Sequence, residues 1–261
     1  MKKSITLALF LILLAVPVFS QDDQIDDLNF EPTELEESSV PYFAIAGGYT
    51  GTFFFPKFDD LNAHLKNINF NIGDFEAPMY LNGVQGFTAI GIIPNVRIGF
   101  FGMTGSKAQK ANVDINGTNV ERGLDYYVSL TGINIDYGFV PFKSLAILPG
   151  INLGWGGLTL ETYQGVKDYD WNNFNTQTDT LNYMNRAKST FSFIQPNLSI
   201  EWTLTSYFMI RGNVGYNYSF ALTGDWEWEM NKYSNLKNVP SGINANGLTA
   251  QLGIFLGLFN Y

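Results

Sequence analysis

Hydrophobic and polar residues alternate with a period of two through much of this chain. From 210 to 228 the even positions are Ile210, Gly212, Val214, Tyr216, Tyr218, Phe220, Leu222, Gly224, Trp226 and Trp228. The odd positions are Arg211, Asn213, Gly215, Asn217, Ser219, Ala221, Thr223, Asp225 and Glu227. Successive side chains of a β-strand point to opposite faces, so this stretch predicts a strand with one apolar and one polar face. The segment 194–204 repeats the pattern, with Ile194, Pro196, Leu198, Ile200, Trp202 and Leu204 opposite Gln195, Asn197, Ser199, Glu201 and Thr203. The same reasoning places eight strands at 42–55, 80–93, 96–106, 124–139, 144–162, 188–204, 207–228 and 247–261.

The connections carry as much information as the strands. Three are tight: 93–95, 140–144 and 205–207. Four are long: 56–79, 107–123, 163–187 and 229–246. The two kinds alternate strictly, so all long connections fall at one end and all tight ones at the other, together with both termini. The expected fold is all-β: an eight-stranded antiparallel up-and-down transmembrane β-barrel with short periplasmic turns and long extracellular loops. In the first long loop, Leu61, Leu65 and Ile68 recur at helical spacing behind Asp59 or Asp60 as an N-cap, so a short helix across the barrel mouth is one expectation and an ordered loop the other.

A soluble lipocalin-like barrel would show the same alternation with its apolar face turned inward. Charge separates the two. The eight strands, with the seventh trimmed at 224, hold seven charged residues among 124: Arg97, Asp125, Asp136, Glu161, Lys188, Glu201 and Arg211. A face turned to water would normally be rich in Lys and Glu. Here it is Asn, Gln, Ser, Thr and Gly, which suits a lumen, and the apolar face then meets lipid. A lumen of eight strands is just wide enough for side chains to fill, so polar side chains are expected to plug it.

The turn 205–207 sets the register. It places residues opposite one another in pairs, Glu201 with Arg211, Ser199 with Asn213, and Gln195 with Asn217. Glu201 and Arg211 are expected to form a lumenal ion pair joined by Arg97 and Asp136, in a polar network with Gln195, Asn197, Asn213 and Asn217. The role expected of these charges is structural. Tyr137, Phe139, Trp202 and Phe208 toward the turns, with Tyr126, Trp226 and Trp228 toward the loops, are the expected aromatic girdles at the two membrane interfaces. Pro149 and Pro196 run against the pattern, because each removes a ladder donor and must sit at a bulge or accept a lost bond.

Composition adds the ends of the chain. Residues 1–20, with Lys2, Lys3 and an apolar run closing on Ser20, are expected to be a signal peptide that exports the protein. The net charge is −9. Without Lys2 and Lys3 it is −11, and the eight acids of 22–41 account for all but −3 of that. The acidity therefore belongs to a leader, 21–41, too poor in apolar residues to order itself, and 42–261 is the barrel domain. No basic stripe offers a surface to nucleic acid.

With its signal peptide, its alternation of turns and loops, and a terminal strand GLTAQLGIFLGLFNY closing on Tyr261, the chain resembles the small eight-stranded outer-membrane barrels of Gram-negative-type bacteria. PNVRIGFFGMTGS, LPGINLGWGG and FSFIQPNLSIEW are similar to segments of glycine-rich exported barrels. The resemblance implies residence in the outer membrane, contact with outer-membrane lipid, and recognition of the terminal strand by the barrel-assembly machinery, commonly through a final Phe where this chain has Tyr261. A monomer is expected.

Chemistry is sparse. With no cysteine there are no disulfides, thiolate nucleophiles or thiolate metal sites. Barrel enzymes of the outer membrane place a histidine beside a serine or an acid. The sole histidine, His64, lies in the first loop beside Asp59 and Asp60 and off the strands. No catalytic residue, metal site or cofactor is assigned, and Asp225, Glu227 and Glu229 are expected to make a negative mouth. The expected function is non-enzymatic, a structural or surface-interaction role through the loops. The alternatives are a carrier or narrow channel for a small or apolar ligand, using the lumen top and the first-loop helix, and a soluble lipocalin-like binding barrel.

Overall fold

A computed structural model describes residues 42–166, 181–220, 226–229 and 234–261. The expected signal peptide, the acidic leader and Asp225 lie outside the described residues. In chain order the elements are β1 (Phe43–Pro56), α1 (Asp59–Asn67), β2 (Met79–Ala89), β3 (Val96–Ile115), β4 (Thr118–Tyr137), β5 (Phe139–Phe142), β6 (Leu145–Val166), β7 (Tyr183–Thr205), β8 (Phe208–Phe220), β9 (Trp226–Trp228), β10 (Ser234–Leu236) and β11 (Gly247–Asn260). Eight of the strands, β1, β2, β3, β4, β6, β7, β8 and β11, pair antiparallel with their chain neighbours, and β11 returns to β1. The result is a closed eight-stranded antiparallel barrel with no free edge around its waist.

Alternation decides which face is inside. Phe100, Trp155 and Leu252 face outward with 69%, 65% and 64% exposure, while Arg97, Glu201 and Arg211 face inward with 0%, 0% and 2%. The apolar face is the outer one. The β6–β7 ladder passes through Pro196 without a break, whereas the β7–β8 ladder is interrupted at Gln195 and Pro196 and resumes in the same register. The break falls where Pro196 has no N–H to give.

Beside shifts of four or five residues, with β2 ending at Ala89, β6 reaching Val166 and β7 starting at Tyr183, three segments differ from the sequence reading. The segment 107–123, expected to be a long loop, is a continuation of β3 and β4 into a tall hairpin, paired without interruption to Ile115↔Thr118. Its tip is Asn116-Gly117 with φ of 52° and 81°, the backbone of a two-residue turn that matches strand twist. The strand expected over 207–228 is described as β8 up to Phe220 and β9 from Trp226, and β9 pairs with Ala187 and Lys188 of β7 in a register three residues away from that of β8. The tight turn 140–144 contains the short strand β5, which pairs with β6.

Crossing a bilayer takes about 9–11 tilted residues per strand. β3 and β4 have 20 residues each. Their surplus extends past the barrel waist on the side of the long connections, where Lys107 binds the carbonyls of Glu76 and Pro78, the latter at 3.0 Å.

Candidate functional site: a lumenal charge cluster and the apolar layer above it

The turn-side end of the lumen holds four charged side chains, each delivered by the inward parity of its strand: Arg97 on β3, Asp136 on β4, Glu201 on β7 and Arg211 on β8. Arg97 lies opposite Asp136, donates to its Oδ2 from Nε at 2.8 Å, and holds Nη2 at an ion-pair distance of 2.7 Å from the same oxygen. Nη1 of Arg97 also donates to Oε1 of Glu201 and, at 2.8 Å, to the hydroxyl of Tyr42. Arg211, opposite Glu201, donates from Nε to the same Oε1 at 2.9 Å and from Nη1 to Gln85 Oε1 at 2.8 Å. Two cations and two anions cancel, which is what a dry interior requires of buried charges.

Glu201 is the centre of this cluster. Its second oxygen, Oε2, accepts from the hydroxyls of Tyr42 at 3.0 Å and Tyr261 at 3.1 Å, and those two rings stack with centroids 4.8 Å apart. Asn134 donates to Asp136 Oδ2 at 2.6 Å, and Gln85 donates to Asn134 at 3.1 Å. The guanidinium groups also rest on aromatic faces, Arg97 at 4.1 Å and Arg211 at 4.8 Å from the centroid of Phe87, with Phe255 at 4.6 Å from Arg211. Such contacts strengthen when shielded from water. Tyr42, Gln85, Asn134 and Tyr261 do not figure among the residues expected for the network. Their signal was parity: Tyr42 shares the inward face of Ala44, and Tyr261 that of Phe255 and Phe259.

A second polar layer lies above. Gln195 donates to Thr249 Oγ1 at 2.7 Å and accepts from Asn152 at 3.1 Å. Asn213 donates to Asn197 Oδ1 at 2.8 Å and to Ser199 Oγ at 2.7 Å. Asn217 is buried and donates to the carbonyl of Ala245 at 2.6 Å, so Gln195 and Asn217, expected to face one another, make their side-chain bonds elsewhere. Between the layers is a void of about 10 Å³ bounded by Gln85, Asp136, Ser199, Arg211, Asn213 and Gln251, roughly the room of one water.

Nearer the long connections the interior turns apolar, against the expectation of a polar filling throughout. Phe101, Met103, Leu124, Val128, Leu130, Leu158, Phe191 and Phe193 point inward from the wall and form one cluster with Phe58, Leu61, Leu65, Phe70, Ile72 and Phe75 from the first loop. α1 presents Leu61 and Leu65 to this cluster. Asn62 ties the helix down by accepting from the Phe75 N–H at 2.8 Å and donating to its carbonyl at 3.0 Å. The N-cap position is Phe58, with no side-chain cap; Asp59 and Asp60 lie in the first turn, where they complement the helix dipole.

The expected girdles divide. Tyr137, Phe139 and Trp202 are exposed on the outer face, at 50%, 59% and 59%, and Phe208 is half-buried there. Tyr126 is not on the outer face at all: it shares even parity with Asp136, is buried, meets Phe58 edge-on at 5.1 Å and donates to the Asn244 carbonyl at 3.2 Å. Trp226 packs against the inner apolar cluster, because β9 pairs with β7 in a register three residues away from that of β8, which turns its even positions inward. Trp228 is exposed beside α1. The negative mouth is partly neutralised, since Glu229 pairs with Arg186 at 3.3 Å and Lys188 at 3.5 Å. His64 is exposed on α1, and its ring makes no hydrogen bond with any described residue. Among the described residues no group of His, Asp and Glu is disposed to hold a metal.

No protein-family model matches the chain, and neither does any curated protein. Solved outer-membrane barrels share the barrel form. A major outer membrane protein from Thermus thermophilus is 11% identical over 82% of this chain and 99% of that one, with a TM-score of 0.44. Ail, the attachment invasion locus protein of Yersinia pestis, is 7% identical over 85% and 99%, with a TM-score of 0.35. CarO of Acinetobacter baumannii is 12% identical over 84% and 98%, with a TM-score of 0.29. Likeness at this level adds nothing to what the strand pairing already defines, a closed eight-stranded antiparallel barrel.

Proposed function

We propose that this chain is a non-enzymatic outer-membrane protein whose lumen is closed to solutes and which acts through its loop-side surface. One observation carries the reading: the outer face is apolar, with Phe100, Trp155 and Leu252 about two-thirds exposed, while Arg97, Asp136, Glu201 and Arg211 are buried inside. In water that arrangement is inverted, because the apolar belt would be hydrated and the ions dehydrated. In a bilayer both are where they belong. A soluble lipocalin-like barrel has the opposite requirement, and the exposed belt disfavours it.

Closure of the lumen is supported by two stacked fillings, the charge cluster at the turn side and the apolar layer under α1 at the loop side. A continuous aqueous path would have to displace both. Catalysis has no support in the placing of His64, which lacks an acid or hydroxyl partner among the described residues. Purified protein inserted into planar bilayers tests the reading: silent membranes are expected, and unitary conductance steps attributable to the barrel would replace it with a channel.

A further inference from the structure

We propose that the crevice beneath α1 is a binding site for an amphiphile with one acyl-type chain and an anionic head. The crevice has a volume of about 470 Å³ and opens on the loop side. Small-molecule sites usually fall at ~300–1,000 Å³ with mainly apolar walls and a few polar groups. Here the apolar wall is made by Leu65 of α1 and Ile68 at its C-cap, Leu124 and Leu160 of the barrel, and Trp228 and Ile243 of the last loop.

Charge selects the head group. Among the described residues the ionisable ones lining the crevice are His64, Arg186 and Lys237, with no Asp or Glu, although the chain as a whole carries −9. Arg186 is engaged by Glu161 at 2.7 Å and by Glu229 at 3.3 Å, so much of its charge is already matched. Lys237 has no ion-pair partner among the described residues. It is the cation left to meet a carboxylate, sulfate or phosphate at the mouth, while the chain lies against Leu160 and Trp228. Thr162 and Asn185 add hydrogen-bonding groups to the same wall. A straight chain fits the apolar part because it can lie along α1, and a bulky polar ligand would strand its polar groups against leucines.

The site shares α1, Leu124 and Ile243 with the loop-side filling of the lumen, but it is read out by labelling and not by conductance, so the two readings can fail separately. Its test uses the full-length mature protein in phosphatidylcholine nanodiscs and a diazirine-bearing dodecanoate as probe. Photolysis followed by peptide mapping is expected to label 61–68 and the segments around Trp228 and Leu236. Unlabelled fatty acids should compete with affinity rising about fourfold per methylene, the equivalent of ~0.8 kcal/mol, until the crevice is full. Dodecanol, without the charge, should compete about fivefold less well than dodecanoate.

Lys237→Gln should reduce dodecanoate to the level of dodecanol, and Ile68→Glu, at the exposed edge of the crevice, should abolish labelling of the loop peptides. Neither position is in the barrel wall, and the gel shift of the unboiled protein verifies folding. Competition by soluble dodecanoate identifies a free amphiphile. Loss of labelling in phosphatidylglycerol discs without added competitor identifies a bilayer lipid, and both outcomes support the shared chemistry. Labelling confined to the outer belt around Trp155 and Trp202, or equal competition by dodecanol and dodecanoate, overturns the proposal.

Discussion

Glu201 and Arg211 face one another across the β7–β8 turn, with Arg211 Nε donating to Glu201 Oε1 over 2.9 Å and both side chains removed from water. Because Arg97 also binds Glu201, this one carboxylate balances two guanidinium groups together with Asp136. Removing its charge leaves an uncompensated cation in the lumen, a change that costs on the order of 3–5 kcal/mol in buried pairs. Glu201→Gln is expected to lower the stability of the refolded barrel by about that much in urea titrations in lipid vesicles. The double change Glu201→Gln with Arg211→Met should recover part of the loss, because it restores neutrality.

The last residue takes part in the same cluster. Tyr261 donates to Glu201 Oε2 at 3.1 Å. Tyr261→Phe keeps the aromatic ring and deletes one donor to a buried carboxylate, for a loss of about 1.5–3 kcal/mol. The expected outcome is normal insertion with reduced urea resistance. A failure of insertion with unchanged resistance of the inserted fraction would assign Tyr261 to assembly alone.

The layer under α1 should come apart separately. Leu65 is buried among the residues of the inner apolar cluster. Leu65→Ala is expected to cost about 2–5 kcal/mol of helix docking. Hydrogen exchange should rise across 59–72, with the amides of β7 and β8 unaffected, since the helix rests on the barrel and is not part of its ladder.

The outer belt makes a prediction that depends on the solvent. Leu252 is 64% exposed on β11 and Val84 is 65% exposed on β2. Arginine at either position should destabilise the bilayer-inserted barrel by about 2–4 kcal/mol if it lies near the midplane. In a soluble barrel the same substitutions on an exposed face would be within about 0.5 kcal/mol of neutral.

What could be read from the chain follows from where water is. Within the barrel waist the two faces meet different surroundings, so parity alone placed Arg97, Asp136, Glu201 and Arg211 on one side, and a three-residue turn put Glu201 opposite Arg211. Above the waist the hairpin of β3 and β4 carries Lys107, Lys110, Asp114, Glu121 and Arg122, and these charges mask the short alternation of Ala111, Val113 and Ile115 with Lys110, Asn112 and Asp114. Asn116-Gly117 marks its tip. Tyr126 was misplaced for the converse reason: near the loops the inner face is as apolar as the outer, with Leu124, Val128 and Leu130 inside, so hydrophobicity no longer tells lumen from lipid. Trp226 and Trp228 follow the parity of β8 in sequence, but β9 pairs with β7 in a register three residues away from that of β8, and this reverses the faces.

The central claim is that the apolar outer face meets lipid, and cell fractionation tests it most directly. The mature protein should sediment with outer membranes, resist extraction by urea or high salt, dissolve only in detergent, and migrate differently on a gel before and after boiling. Recovery in the soluble periplasm without detergent, with no change in migration on heating, would contradict it.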